Sequence, residues 1–493
     1  MSKLQFDFEI IHRINESRDI KKEEILELAK NAPKEIIFDV ASNLRDEKKG
    51  KRISFSKKAF FNIINLCRDT CSYCTYKAEP NDTKLSLMNK QTVKELAILA
   101  KKYNCTEALF VTGERPEQKY PEAKRWLKNE GFSSTSEYLI HCSEIVLNEG
   151  IFPHTNAGNL TKNEMRELQK TNVSMGVMLE SSSQRLREKG MPHEDAPSKD
   201  PSARLEILKN SGELKMPMTT GILIGIGENL EECIQSILDI KEIHDKYGNI
   251  QEIILQNFHP KPKTSMFEHS TPEEDYFKTV VALCRIIMPD ANIQIPPNLS
   301  PENYHEFLSV GINDWGGISP ITSDYVNPEF SWPNIQNVEK KCNDSGFSFK
   351  ARFPVYPEFI SLVNNDLKQR ISLIANEENY LSFLKERFGE DYIDEDLERW
   401  AYGYVTNPPA MQELITSHLQ QYWDNYLAAE WERVLPTLKK AVSAFQQADD
   451  HILLDAYYVY VVPFQGHMAF AVRFCRTYQN HRCWFLVVDS ALL

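Results

Sequence analysis

Between residues 59 and 295 the chain alternates short apolar runs with longer amphipathic stretches, and this rhythm limits the possible folds more than any other feature. Residues 59–65 (AFFNIIN), 107–112 (EALFVT), 152–156, 173–179, 217–224, 252–257 and 292–295 have the length and content of strands. Segments 90–103, 136–148, 162–170, 201–211, 230–246 and 272–287 carry apolar residues at helical spacing between them. Strands joined through helices run parallel, because each crossover returns the chain to the end of the sheet where the previous strand began. Repeated βα units of this kind predict an α/β fold, a (βα)8 TIM-type barrel with its chemistry at the C-terminal strand ends.

Three segments follow. Residues 1–50 form a charged helical lead-in, whose amphipathic pattern through Glu24, Ile25, Leu26, Leu28 and Ala29 stops at Pro33. Residues 51–365 form the barrel. Residues 366–493 form an extension of different composition and unknown role, a possible fusion. Before position 371 there are 34 Lys and 14 Arg; from Ile371 onward there are 3 and 6, with 10 of the 20 Tyr and 4 of the 7 Trp. In this extension residues 391–447 read as helical, and 457–464 and 484–488 as strands.

With 57 basic and 70 acidic residues, the net charge of −13 argues against a nucleic-acid partner, which would need a basic face. No apolar run reaches the roughly 18 residues of a membrane span. The opening MSKLQFDFEI has no long apolar core of a secretory signal, so a cytoplasmic location is expected. In that reducing compartment the ten cysteines read as metal or redox chemistry rather than disulfides.

Three of them, Cys67, Cys71 and Cys74, fall within eight residues just after the first predicted strand. No other Cys or His lies within twenty residues of them, so a structural zinc lacks its fourth ligand nearby. Three thiolates suit a [4Fe-4S] cluster with one iron left open. Zinc and chance clustering are the competing readings.

The C-x3-C-x2-C spacing, with Tyr73 before the last cysteine, resembles the radical SAM superfamily. That resemblance implies a cluster whose fourth iron chelates S-adenosyl-L-methionine, and a 5′-deoxyadenosyl radical that takes hydrogen from a substrate. It also implies that Tyr73 lies against adenine. Gly113 and Glu114, after Thr112, resemble the superfamily's Gly-Gly-Glu motif, which holds the methionine amino group; Thr112 replaces the first glycine. Glu180 and Arg204 stand where the ribose and the methionine carboxylate are contacted, and an ion pair between the two is the plainer reading. The Gly221–Gly227 segment lacks the dinucleotide-binding spacing and reads as a strand end.

Longer strings narrow the resemblance: Thr112-Gly113-Glu114-Arg115-Pro116-Glu117, Pro153-His154-Thr155-Asn156-Ala157-Gly158-Asn159, Gln256-Asn257-Phe258, Asn313-Asp314-Trp315-Gly316-Gly317 and Arg352-Phe353-Pro354-Val355-Tyr356. From about residue 50 to 360 they resemble the deazaflavin synthases, in their cyclising subunit. The resemblance implies ring closure of a tyrosine–ribitylaminouracil adduct with loss of ammonia, in coenzyme F-420 biosynthesis. It also implies a separate partner radical SAM subunit and an electron donor, since only one cysteine triad is present. Asn257, Lys261, Asn298, Asp314 and Arg352 are the polar candidates for substrate contact, with Asn257, Asn298 and Asp314 foremost; no general base is named. Another radical SAM reaction, of menaquinone-pathway or biotin-synthase type, keeps the barrel and changes the substrate. A non-catalytic iron–sulfur sensor would have no use for Glu180 or Arg204.

Overall fold

The computed structural model describes residues 21–381, and the backbone of three strands further on. Eight parallel strands close into a barrel: β1 (Arg52–Ile64), β2 (Glu107–Thr112), β3 (Phe152–Asn156), β4 (Ser174–Gly176), β5 (Met218–Ile224), β6 (Ile250–Asn257), β7 (Ile293–Gln294) and β8 (Asp314–Ile318). Closure falls on β1, which pairs with both β2 and β8. Strands buried on both faces need nearly continuous apolar sequence. That is why FFNII in β1 and GILI in β5 read clearly; every residue of β5 is buried.

Three strands differ most from expectation. β1 begins seven residues earlier than its apolar run, through Arg52–Lys58. Its first half pairs with a ninth parallel strand, β9 (Ser348–Arg352), with Arg52–Ser56 opposite Ser348–Arg352. β8 carries Gly316 and Gly317, which read as a turn, and β9 (SFKAR) alternates too weakly to stand out.

Helices cover the barrel and are capped by their sequences. Asn89 accepts from the Thr92 N–H, and Thr161 with Glu164 and Asn229 with Glu232 form capping boxes. The lead-in helix Lys34–Lys49 packs on Glu274–Ile287, leaving the latter buried from Phe277 to its end except at Lys278. Buried Arg45 donates there to the carbonyls of Leu308 and Ile312, at 2.8 and 2.9 Å. No described helix is long and apolar enough to cross a membrane.

The chain divides into two compact units, Met1–Gly403 and Tyr404–Leu493. The expected boundary at 365/366 lies within the helix Asn365–Ser372, whose Leu367 and Ile371 are buried with Leu147, Phe152, Val173 and Phe353. The Leu381 N–H donates to Ala351 O of β9 at 3.0 Å. In the second unit β10 (Ala456–Phe464), β11 (His467–Cys475) and β12 (Trp484–Asp489) form an antiparallel sheet. Two of these strands lie where the sequence placed them and β11 is additional; the helical reading of 391–447 falls outside the described residues.

Candidate active site

Cys67, Cys71 and Cys74 lie on the loop after β1 as free thiols, and all three line one cavity of about 320 Å³ at the C-terminal ends of the strands. The loop is pinned from the far side of that mouth. Thr70 and Ser72 N–H groups donate to the carbonyls of Asp195 and Pro192, at 2.8 and 3.0 Å. Buried Asp69, between the first two cysteines, accepts from the backbone and hydroxyl of Ser198.

Desolvation pushes the Cys67 thiol up to about 11 and raises Cys71 further, and the neighbouring thiols act in the same direction. Three mutually repelling thiolates hold together only around a positive centre, so the donor set fits a metal cluster. Among the described residues no three His, Cys, Asp or Glu side chains are already drawn into a finished metal cage; the fit rests on the thiols and their shared cavity.

Glu114 meets the same loop. Its N–H donates to Cys67 Sγ at 3.2 Å, and its Oε2 accepts from the Asn159 N–H at 2.9 Å. Its Oε1, buried at the cavity wall, has no hydrogen-bond partner. Arg68, Arg115 and Arg204 each hold a nitrogen 3.9 Å from this carboxylate. A buried acceptor left open beside cations fits an ammonium ligand such as the amino group of an amino acid. The space is made by glycines: a Cβ at Gly113 would stand 1.9 Å from Leu66 O, and one at Gly158 (φ +70) 2.0 Å from Glu114 Oε2. Thr112, in place of the motif's first glycine, turns its hydroxyl to Ile64 O at 3.0 Å. Arg115 clamps Glu164 through two 2.6 Å bonds, which holds the Glu164 carboxyl down at about 2.

Glu180 and Arg204 both line the cavity but are not paired with each other. Glu180, in the left-handed region at φ +64, accepts from Lys199 Nζ at 2.5 Å. Arg204 donates to the carbonyls of Ser198 and Met178, at 2.9 and 3.3 Å. Tyr73 shares a 2.9 Å hydrogen bond with buried His193, whose imidazole is held at about 3 by desolvation and then by Lys199 and Arg204. Lys199 and His193 carry no motif that singles them out; they arrive through the 193–199 segment that also pins the cysteine loop.

Deeper in the barrel the polar candidates separate. Asn257 and Lys261 line the cavity. Asn257 Nδ2 shares a 2.9 Å bond with His259, and Lys261 donates to Val326 O and Asn327 at 2.7 Å. Asn298 and Asp314 do not line it. Asn298 donates to Asp324 and Phe330 O, holding a loop. Asp314, wholly buried, is taken up by Arg352, Ser54 and the Gly316 N–H, so its role is corrected from substrate contact to support of the barrel wall. Arg352 does line the cavity, bridging Asp314 to Glu252.

His154 faces the cavity from β3. Ser174 gives its one proton to Pro354 O at 2.6 Å, so it accepts from His154 Nδ1 at 2.7 Å. That leaves Nε2 as a bare acceptor. Desolvation holds the imidazole at about 4, and hence neutral.

The sequence pattern of the Radical SAM superfamily matches residues 61–240. Among solved structures, the FeFe-hydrogenase maturase HydG from Carboxydothermus hydrogenoformans is 20% identical, with a TM-score of 0.56 over 75% of this chain and 89% of its own. Methylornithine synthase is 15% identical, with the same score over 72% and 99%. The fold is therefore that of the radical SAM barrel enzymes, and the chain belongs to that superfamily.

More particular relatives carry the name 7,8-didemethyl-8-hydroxy-5-deazariboflavin synthase. The protein of Methanopyrus kandleri is 45% identical over 62% of this chain and 92% of its own length. That of Methanococcus maripaludis is 44% identical over 69% and 96%, and that of Methanocaldococcus jannaschii 40% over 69% and 94%. The chain belongs to this synthase family.

Proposed function

We propose that this chain closes the central ring of a tyrosine–ribitylaminouracil adduct, releasing ammonia and giving 7,8-didemethyl-8-hydroxy-5-deazariboflavin for coenzyme F-420 biosynthesis. The observation that carries this reading is 45% identity over nearly the full length of a synthase of that name. The cysteine triad and the open Glu114 carboxylate in one cavity support it.

In this reading Cys67, Cys71 and Cys74 hold a [4Fe-4S] cluster. Glu114, beside Gly113, accepts from the amino group of S-adenosyl-L-methionine, Arg204 faces its carboxylate, Glu180 its ribose and Tyr73 its adenine. When bound, that pair supplies a primary carbon radical able to take a hydrogen atom. The chain's own residues do the rest. Gly113 lets the end of β2 close on Leu66 and the cysteine loop, and Gly158 leaves room for the Glu114 carboxylate. His154 Nε2 offers a neutral acceptor facing the cavity, Asn257 contributes a polar substrate contact, and Asn298 and Asp314 keep the wall in register. A separate radical SAM subunit supplies the adduct, an electron donor supplies the reductant, and the setting is cytoplasmic.

The test is reconstitution. Holoenzyme given S-adenosyl-L-methionine, a reductant and the adduct is expected to yield fluorescent deazaflavin and ammonia. Tyrosine and ribitylaminouracil without the partner subunit are expected to yield none. Abundant 5′-deoxyadenosine with no deazaflavin from authentic adduct overturns the reading.

A further inference from the structure

Two buried polar groups on the cavity wall lack the partners that burial demands. Gln294 ends β7 at 4% exposure; its Oε1 has no hydrogen-bond partner, and its Nε2 reaches only Trp315 O, at a long 3.4 Å. Lys58, on β1 at 8% exposure, pairs its backbone within the sheet and accepts from Cys105 Sγ, but its side-chain nitrogen donates to no described residue and enters no ion pair. Its ammonium instead lies over the rings of Phe60 and Trp332, 4.3 and 4.9 Å from their centroids. An unmade hydrogen bond at a buried acceptor costs stability, and natural chains keep such groups where a ligand completes them.

The two side chains stand against adjacent residues of β8. A Cβ on Gly316 would be 2.4 Å from Gln294 Nε2, and one on Gly317 would be 2.0 Å from Lys58 Cδ and 2.6 Å from its Nζ. The glycine pair is what lets both side chains lie in the cavity.

We propose that Lys58 and Gln294 form a recognition pair for a –CO–NH– edge, Gln294 Oε1 accepting the ligand N–H and Lys58 donating to the neighbouring carbonyl oxygen. A carboxylate or phosphate would satisfy Lys58 but set its own lone pairs against Gln294 Oε1. An amine would satisfy Gln294 and repel Lys58. An imide satisfies both. The pair rests on the proposed function, in which the pyrimidinedione of the adduct carries such an edge, and it assigns that ring to the space between β7, β8 and β1.

The experiment is equilibrium binding to cluster-loaded enzyme with S-adenosyl-L-methionine and no reductant. It compares the adduct with the same adduct methylated on its imide nitrogen. Wild type is expected to bind the methylated form about 30-fold more weakly, the scale of one buried hydrogen bond lost with its acceptor stranded. Gln294→Leu is expected to bind both forms weakly and nearly alike. Lys58→Gln is expected to weaken both by about tenfold and keep the methyl penalty. Equal binding of the two forms by wild type overturns the pair, and so does a full methyl penalty in a Gln294→Leu protein with normal iron content. Because the wild-type comparison uses no variant, it decides even if a variant fails to fold. If the adduct gives no deazaflavin, the reaction reading fails instead. The same methyl comparison on ribitylaminouracil alone, which carries the same edge, then still decides the pair.

Discussion

Cys67, Cys71 and Cys74 stood out because three cysteines in eight residues are rare and their spacing is read directly from the chain. Glu114 was legible through its glycine, although its backbone bond to Cys67 and its open Oε1 were not. Asp314 read as a substrate contact, yet its partners Arg352 and Ser54 come from strands 38 and 260 residues away in sequence. Spacing cannot report such a meeting. Replacing any of the three cysteines by Ala is expected to abolish both iron loading and 5′-deoxyadenosine formation, measured on anaerobically reconstituted protein. Full iron in the triple variant would refute the assignment. His154 gives a pH prediction. Folded, it protonates only near about 4, against 6.5 ordinarily. As pH falls between those values the unfolded chain binds a proton that the folded chain refuses, so stability drops. The fall is about 3 kcal/mol, complete near pH 4, and absent above about 7. Urea unfolding across pH 4–7 is expected to show this slope, and His154→Asn to flatten it by about one proton.

Among the elements, β2 and β3 were found with their bounds: β2 (EALFVT) is a short apolar run, and β3 (FPHTN) is a short segment set between the glycines at 150 and 158. β8 and β9 were missed for a physical reason. β8 needs glycine against Gln294 and Lys58, and glycine erases the strand signal. β9 pairs only with β1, so it needs little apolar sequence of its own. The loop after β3 supports Glu114: Gly158 gives it its room and Asn159 gives it an N–H. Gly158→Ala meets both a φ of +70 and a 2.0 Å clash. It is expected to weaken S-adenosyl-L-methionine binding by at least about tenfold with the cluster still loaded. Titration of the reconstituted protein checks this, and unchanged affinity would mean that Glu114 does not face the cofactor.

For the molecule as a whole, the composition break near residue 371 falls inside the helix Asn365–Ser372, and the packing of the first unit continues past it. Leu367, Ile371 and Tyr380 are buried, and burial does not show in Lys or Tyr counts. A chain ending at Gly403 is expected to keep cluster and cofactor cleavage. One ending at residue 365 removes Leu367 and Ile371 from their contacts and is expected to lose several kcal/mol, at about 2–5 per buried aliphatic side chain. Thermal melts of the two truncations decide, and equal melting points would return the boundary to 365.

The central claim is that a radical made in this barrel takes hydrogen from the adduct and the ring then closes. Its most direct test is mass spectrometry of the 5′-deoxyadenosine formed from adduct deuterated on its tyrosine-derived carbons. Deuterium in the 5′-deoxyadenosine, with deazaflavin formed in matching amount, is the predicted result. Unlabelled 5′-deoxyadenosine accompanying full conversion to deazaflavin would contradict it.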